Sequence, residues 1–263
     1  MGFGDEIIGT GLAKGMQARG QLAAFGDGHR IIWGPWCEEI FANNPNIARP
    51  GSEQCSKLHW IKHYKGSRLY NRQDGKRWDW NYDFKVSPGE FFWGESERSL
   101  INYSRQTLNN FIVIEPNVPW QKSVAPNKDW GEDKYRHLTH MLQVKGIQLV
   151  QFIHKNAKRR LRGVTILEFE KFREAIAILS LARLYVGPEG GMHHAAAAVG
   201  IPAVVLMGGF IPPQVVGYDF HINLTGGVEA CGSMQECAHC RKAMERISVH
   251  EVFEAAMSKL HEM

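Results

Sequence analysis

The residues best suited to chemistry are gathered in Gly187-Pro-Glu-Gly-Gly-Met-His-His194, a glycine-rich turn between a strand-like run and an alanine-rich helix. Adjacent glycines let a backbone come close to a ligand, and free N–H groups at a helix start favour phosphate. Glu189 is out of place in a bare phosphate cradle, because a carboxylate repels a pyrophosphate; it is better suited to the hydroxyls of a sugar. The same residues also suit a plain strand-to-helix turn in which His193 or His194 caps or packs. Gly2-Phe-Gly-Asp5 repeats the theme ahead of another helix, where Asp5 would also serve as an ordinary cap favoured by the helix dipole. Pro116-Asn-Val-Pro-Trp-Gln-Lys122, running on to Asn127-Lys-Asp-Trp130, brings Lys122 and Lys128 to the end of a strand, either solvated or facing an anion.

Three further features carry chemistry. Cys231, Cys237 and Cys240 place three thiols within ten residues, and the two-residue gap of the last pair lets one turn bring two sulfurs to one metal such as zinc. The fourth ligand is open among His239, His221, Cys37 and Cys55, and free thiols in a reducing compartment are the alternative. Trp78, Trp80, Tyr82 and Phe84 alternate with polar residues, the period of a strand with one aromatic face. That face is either core or, with Arg72, Lys76 and Arg77 before it, a stacking platform for sugars or bases. Lys155, Lys158, Arg159, Arg160 and Arg162 form the densest basic run, either a solvated loop or a surface that steers a nucleotide or nucleic acid.

The elements that must hold these residues read most clearly after residue 110. Phe111–Ile114, Ile147–Phe152, Val164–Leu167, Leu184–Val186 and Ala203–Met207 read as strands. Helices fall between them: one with Tyr135, Leu138, Met141 and Leu142 on one face, one through Phe169, Phe172, Ile176 and Leu179, and one from about Met192 to Val199. Ser248 with Glu251 forms a capping box that opens a last helix. Alternating strands and helices predict a parallel sheet that binds ligands at the carboxyl ends of its strands. Before residue 105 the reading is thinner: a helix over about Glu6–Arg19, strands at Ala23–Phe25 and Arg30–Trp33, and an aromatic-rich stretch from Lys57 to Trp93.

Composition sets the frame. The 263 residues carry 31 Lys+Arg against 27 Asp+Glu, a formal charge of +4, with 44% hydrophobic and 22% charged residues, which excludes a disordered chain. This mildly basic balance suits an anionic small substrate and falls short of a dedicated nucleic-acid binder. The longest apolar stretch, Ala195 to Gly208, is broken by Pro202 and too short to span a bilayer, so it predicts buried core. No secretory signal opens the chain, and five Cys make no disulfide scaffold, so a cytoplasmic protein is expected.

Taken in order, the three loops resemble glycosyltransferase family nine, the heptosyltransferase-like enzymes of the GT-B fold. The family's opening G-x-G-D loop is similar to Gly2–Asp5, its lysine loop to residues 117–130, and its D-[ST]-G signature to Glu189-Gly-Gly-Met-His-His-Ala-Ala-Ala-Ala-Val-Gly-Ile-Pro202. Glu189 stands where the family has Asp and Gly190 where it has a hydroxyl residue. The chain begins inside the first motif, without the strand that normally precedes it, and its N-terminal half is shorter than a full acceptor domain.

The resemblance implies an α/β, GT-B-like chain of two Rossmann-like lobes with parallel sheets. Residues 1–108 would form a reduced acceptor-side lobe and residues 109–263 the lobe that binds a nucleotide-diphosphate sugar, ADP-heptose by default. It further implies inverting transfer to an acceptor hydroxyl on a glycan, protein or nucleic acid, with Asp5 as general base. Lys122 or Lys128 would neutralise the leaving diphosphate with backbone N–H groups at 190–192, Glu189 would hold donor hydroxyls, and His194 would sit beside the phosphates. Gly4, Lys122, Lys128, Glu168, Glu189, Gly190, Gly191, Met192 and His194 make up the expected donor-binding set. Cys231, Cys237 and Cys240 would hold a structural Fe or Zn, since some relatives resembling autotransporter heptosyltransferases carry cysteine-bound iron. Two other readings are a non-hydrolysing nucleotide-sugar epimerase and a non-catalytic, metal-stapled nucleic-acid-binding module.

Overall fold

The computed structural model describes residues 2–62, 69–154 and 157–262; Lys155 of the basic run and residues 63–68 of the aromatic-rich stretch lie outside them. The N-terminal half holds α1 (Phe3–Gln17), β1 (Leu22–Gly26), α2 (Cys37–Ile40), β2 (Leu58–Lys62), β3 (Tyr70–Gln73), β4 (Trp78–Trp80) and α3 (Glu95–Thr107). The C-terminal half continues with β5 (Phe111–Ile114), α4 (Glu132–Val144), β6 (Gln148–Ile153), β7 (Thr165–Glu168), α5 (Phe172–Leu179), β8 (Leu184–Pro188) and α6 (Gly191–Ala198). It closes with β9 (Ala203–Leu206), α7 (Pro213–Val216), β10 (Ile222–Leu224), α8 (Ala238–Arg246) and α9 (Val249–His261).

Six strands form one parallel sheet in the order β10-β9-β8-β5-β6-β7. An all-parallel sheet needs cover on both faces, and the central strands β5, β8 and β9 are buried throughout for that reason. Ile112, Ile114, Leu184, Val186, Val204 and Leu206 turn to one face and pack with Leu138 and Leu142 of α4 and Val252 and Ala256 of α9. Phe111, Val113, Tyr185, Ala203 and Val205 turn to the other, where Ile176 and Leu179 of α5, Ala195 and Ala196 of α6 and Ile7 of α1 cover them. Strand order reverses at β5, so the carboxyl ends of β5 and β8 flank the crevice where such sheets take ligands.

Among its described residues the N-terminal half carries a two-stranded parallel sheet, β1 with β2, and a two-stranded antiparallel hairpin, β3 with β4. The expected strand at Arg30–Trp33 is a single antiparallel bridge between Gly26 and Ile31. Asp27 takes the His29 and Arg30 N–H groups on one carboxylate oxygen, at 2.7 Å each, and turns the chain back before a ladder can grow. The aromatic alternation is also cut short. The strand ends at Trp80, and the side chain of Asn81 accepts the Asp83 N–H in a turn. Trp80 is buried and Trp78 half-buried, both edge-on or tilted against Phe210, while Tyr82 is left exposed. Core, not platform, is therefore the fate of Trp78 and Trp80.

Arg173 of α5 ties the halves together. Its side chain is 4% exposed, and its Nε donates to Glu97 of α3 at 2.5 Å. Its backbone N–H reaches Glu39 at 2.8 Å, and its guanidinium also reaches the carbonyls of Glu39 and Phe92. The expected division between residues 108 and 109 falls in the loop from α3 to β5, but the buried cluster around Ile7, Phe25, Phe41, Val113, Val205 and Phe210 runs across it. At the chain's other end the Ser248 capping box forms as read, with Glu251 N–H on Ser248 Oγ at 3.0 Å. Among the described residues, no helix is long and apolar enough to cross a membrane.

Candidate active site at the carboxyl end of the sheet

The loop after β5 winds through a short 3₁₀ turn, Ala125–Lys128, and delivers Lys128 to the crevice; the turn after β8 delivers Glu189. The two side chains form an ion pair, with only 11% of Lys128 and 6% of Glu189 exposed. The second Glu189 oxygen faces Nε2 of His194 at 3.6 Å, and Nδ1 of that ring meets the Tyr218 hydroxyl at 2.8 Å. The ring of Phe210 lies 5.1 Å from the Lys128 ammonium. Burial alone would raise the Glu189 carboxyl; the charge of Lys128 and then the neighbouring imidazoles outweigh it and hold the group well below the usual carboxylate range.

His193 is fully buried, and neither ring nitrogen has a partner. Burial drives its pKa far down, so it is neutral. Glu189, His193 and His194 could in principle cage a cation, since their ligand atoms lie within 4.8 Å of one another. The ammonium of Lys128 already neutralises that carboxylate, however, and the arrangement is a charged pair on an imidazole floor.

Glycine is required where the two helices that carry the first and third loops meet. Gly190 has φ 159° and ψ −160°, a region essentially restricted to glycine, and it aims the first turn of α6 into the crevice. A Cβ on Gly191 would lie 3.4 Å from the Gly4 backbone nitrogen, and one on Gly4 would lie 3.0 Å from the His194 ring. The positive ends of α1 and α6 thus converge, a setting that favours an anion. A Cβ on Gly2 would lie 3.1 Å from the Lys122 ammonium, which places that lysine at the same helix end. Asp5 is half-buried there and accepts the Gly2 N–H at 3.0 Å, so it does cap the helix.

The structure therefore brings together Gly4, Asp5, Lys122, Lys128, Glu189, Gly190, Gly191 and His194, with Met192 half-buried behind them. Glu168 is not part of this group. It ends β7 at the sheet edge and pairs with Arg160 at 2.5 Å, both side chains more than half exposed. Tyr218 and Phe210 complete the cluster; Phe210 follows Gly208-Gly209, the signal that could have pointed to its loop, whereas Tyr218 is tied to the site only through His194.

Behind the lysine loop lies a supporting network. Arg159 grips Asp129 with both terminal nitrogens and, together with Lys158, stacks on Trp120. Asn117 accepts the Lys158 and Arg159 N–H groups at 2.9 Å each. The basic run is therefore partly structural, with Lys158, Arg160 and Arg162 exposed and Arg159 turned inward. Under the loop Glu115 is half-buried beside Asn117, and loss of hydration there pushes its carboxyl up to about 7.

The three cysteines also converge. Cys231 Sγ lies 3.4 Å from Cys240 Sγ and 3.8 Å from Cys237 Sγ. A tetrahedral ion with metal–sulfur bonds of about 2.3 Å spaces its sulfurs by roughly 3.8 Å, so the set fits zinc or iron. Burial would raise the Cys237 thiol, but hydrogen bonding from Cys240 outweighs it and lowers the pKa, while burial pushes Cys240 up. None of the four residues named for a fourth ligand joins the group among the described residues. His239 Nε2 is taken by the Glu229 carbonyl at 2.8 Å, Cys37 accepts the Gly34 N–H in α2, and His221 meets the Ile201 carbonyl. Asn127, one residue before Lys128, holds the cysteine loop through the Ser233 and Gln235 carbonyls and the Cys237 N–H. The lysine loop and the cysteine loop are thus one built unit.

A parallel sheet with a charged, glycine-lined crevice at its strand-order reversal defines a doubly wound α/β protein with a ligand site at that reversal. Residues 80–248 match glycosyltransferase family 9 (heptosyltransferase), more than half of the chain, and the protein belongs to that family. Its fold is shared with a family 9 glycosyl transferase from Veillonella parvula, at TM-score 0.66 and 14% identity over 100% of this chain and 96% of that one. The ADP-heptose LPS heptosyltransferase II of E. coli gives TM-score 0.64 and 15% identity over 99% and 96%. The iron-containing dodecameric glycosyltransferase TibC of enterotoxigenic E. coli gives 0.65 and 12% over 99% and 74%. No curated protein matches the sequence.

Proposed function

We propose that this glycosyltransferase moves a sugar from a nucleotide-diphosphate donor to an acceptor hydroxyl with inversion, and that ADP-heptose is its default donor. The observation that carries the reading is the buried Lys128–Glu189 pair at the point where the positive ends of α1 and α6 meet. Lys122, Lys128 and the N–H groups of Gly190–Met192 would neutralise the departing diphosphate, as preorganised cations and dipoles do where charge develops. Glu189, ionised throughout the physiological range, would accept from donor hydroxyls, with His194 and Tyr218 fixing its second oxygen.

Asp5 would take the acceptor proton as the oxygen attacks the anomeric carbon. Its carboxylate stands at the meeting of the two helices and belongs to the N-terminal, acceptor-side lobe, here residues 1–108, with residues 109–263 as the donor lobe. An iron or zinc ion, held by Cys231, Cys237 and Cys240, would supply structural cross-linking behind Phe210 and the lysine loop. The free thiols fit a reducing cytoplasm as the place of reaction.

Asp5→Asn tests the base assignment cleanly, because the amide oxygen still accepts the Gly2 N–H and the helix start survives. The variant should bind nucleotide diphosphate as the wild type does and lose at least about 100-fold in transfer, the usual contribution of a general base. Unchanged turnover would remove Asp5 from that role.

A further inference from the structure

A second pocket of about 510 Å³ opens over the carboxyl ends of β9 and β10, and nothing in the donor reading uses it. Its size falls within the range of small-molecule sites, roughly 300–1,000 Å³. Tyr82 from the N-terminal half forms one wall; Pro213, Gln214, Asn223, Thr225 and Glu229 from the C-terminal half form the others. The pocket thus spans both halves, as an acceptor cleft must. It also adjoins the donor crevice through one short segment: Phe210 packs beneath Lys128, and the next residue, Ile211, lines the pocket.

The chemistry of the lining selects a ligand class. No Lys, Arg or His faces the pocket, and Glu229 adds a carboxylate, so a phosphate or other anion is disfavoured. Two amides, two hydroxyls and one carboxylate offer acceptors and donors suited to a molecule rich in hydroxyl groups. Asn223 of β10 and Thr225 just after it supply an amide and a hydroxyl to the lining. Tyr82, 60% exposed at the turn after β4, presents a ring on which the apolar face of a pyranose can lie.

We propose that this pocket is a saccharide subsite for the acceptor. It takes a neutral sugar unit other than the one whose hydroxyl reacts, since none of its residues belongs to the Asp5, Lys128 and Glu189 set. Binding energy gathered there would position the reacting unit, the way remote contacts serve a transfer reaction. The inference rests on the sugar-transfer reading of the crevice.

Saturation-transfer NMR of the whole chain with the methyl glycosides of glucose, galactose, mannose and N-acetylglucosamine, and with maltose as a disaccharide, tests the proposal. A parallel titration uses ADP, GDP, UDP, CDP and dTDP. At least one glycoside should show transfer that ADP and inorganic phosphate do not displace. The signal should fall at least about fivefold in Tyr82→Ala and in Thr225→Val, two changes at the pocket surface that leave ADP binding as it was. ADP binding without a signal from any of these sugars, or a glycoside signal untouched by both substitutions, would overturn the subsite alone. Failure of every nucleoside diphosphate to bind would overturn the reading on which it rests.

Discussion

The two halves of the chain are stabilised in different ways. The C-terminal half owns a complete core: one face of its sheet is filled by Ile112, Leu138, Leu184, Val204, Val252 and their neighbours, all from residues after 110. Among the described residues the N-terminal half has the small cluster of Ala24, Ile31 and Ala48 to itself and otherwise shares the core on the sheet's second face. One half supplies the floor, and the other is held to it through the shared second-face core and the Arg173 network, contacts that also shape the site. Asp5 and Gly4 are therefore positioned by docking of α1 on α6, while Lys128 and Glu189 are positioned by the sheet itself.

Arg173→Ala should break this comparison most severely. It leaves the carboxyl of Glu97 without its guanidinium partner and two carbonyls without a donor, for a loss of about 3–5 kcal/mol as for other broken buried pairs. Hydrogen exchange should show the loss concentrated in α1 and α3, with β5, β8 and β9 protected; equal loss in both halves would contradict the division.

Lys128→Met comes next, at about 3 kcal/mol, because it strands the buried Glu189 carboxylate. Adding Glu189→Gln should recover more than half of the loss in denaturant melts. The linkage has a definite sign: the folded-state pKa of Glu189 is depressed, so its stabilisation is present above about pH 4.5 and is lost as pH falls below that value.

Glu115 carries the opposite sign. Its folded carboxyl titrates near 7, so the folded chain holds a proton that the unfolded chain releases, and stability declines as pH rises from about 4.5 through 7. Glu115→Gln keeps the acceptor for the Asn117 N–H and removes the decline, by about 3 kcal/mol at an exchange of roughly 1.36 kcal/mol per pKa unit. Thermal melts at about pH 5 and about pH 8 should show the variant gaining on the wild type only at the higher pH.

The smallest effect belongs to Glu168. Its exposed pair with Arg160 is worth at most about 1 kcal/mol, and Glu168→Ala should melt close to the wild type. An accompanying loss of donor affinity would return Glu168 to the donor-binding set.

The same contrast explains what could be read from the sequence. Strands buried on both faces announce themselves as β-branched runs, and β5, β6, β8 and β9 were legible for that reason. The turn at Gly190 and the capping box at Ser248 follow from local chemistry that needs no tertiary context. α3 gave no such signal, since only Ile101 and Ser104 of its thirteen residues are buried and its sequence is mostly polar. The run Arg30–Trp33 read as a strand because its composition is right, but the Asx turn at Asp27 decided otherwise. In the site, the charged and glycine positions were visible as residue types at helix starts and strand ends. Tyr218, Phe210 and Asn127 were not, because a hydroxyl, a ring and an amide become functional only through partners distant in sequence.

The most direct test of the account is a calorimetric titration of ADP, GDP, UDP, CDP and dTDP into the wild type, Asp5→Asn and Lys128→Met, each first shown to be folded. One diphosphate should bind the wild type and Asp5→Asn alike and bind Lys128→Met at least about tenfold more weakly, the loss of one charge-assisted contact. Absence of binding by all five, or equal affinity in Lys128→Met, would contradict a diphosphate site at the junction of β5 and β8.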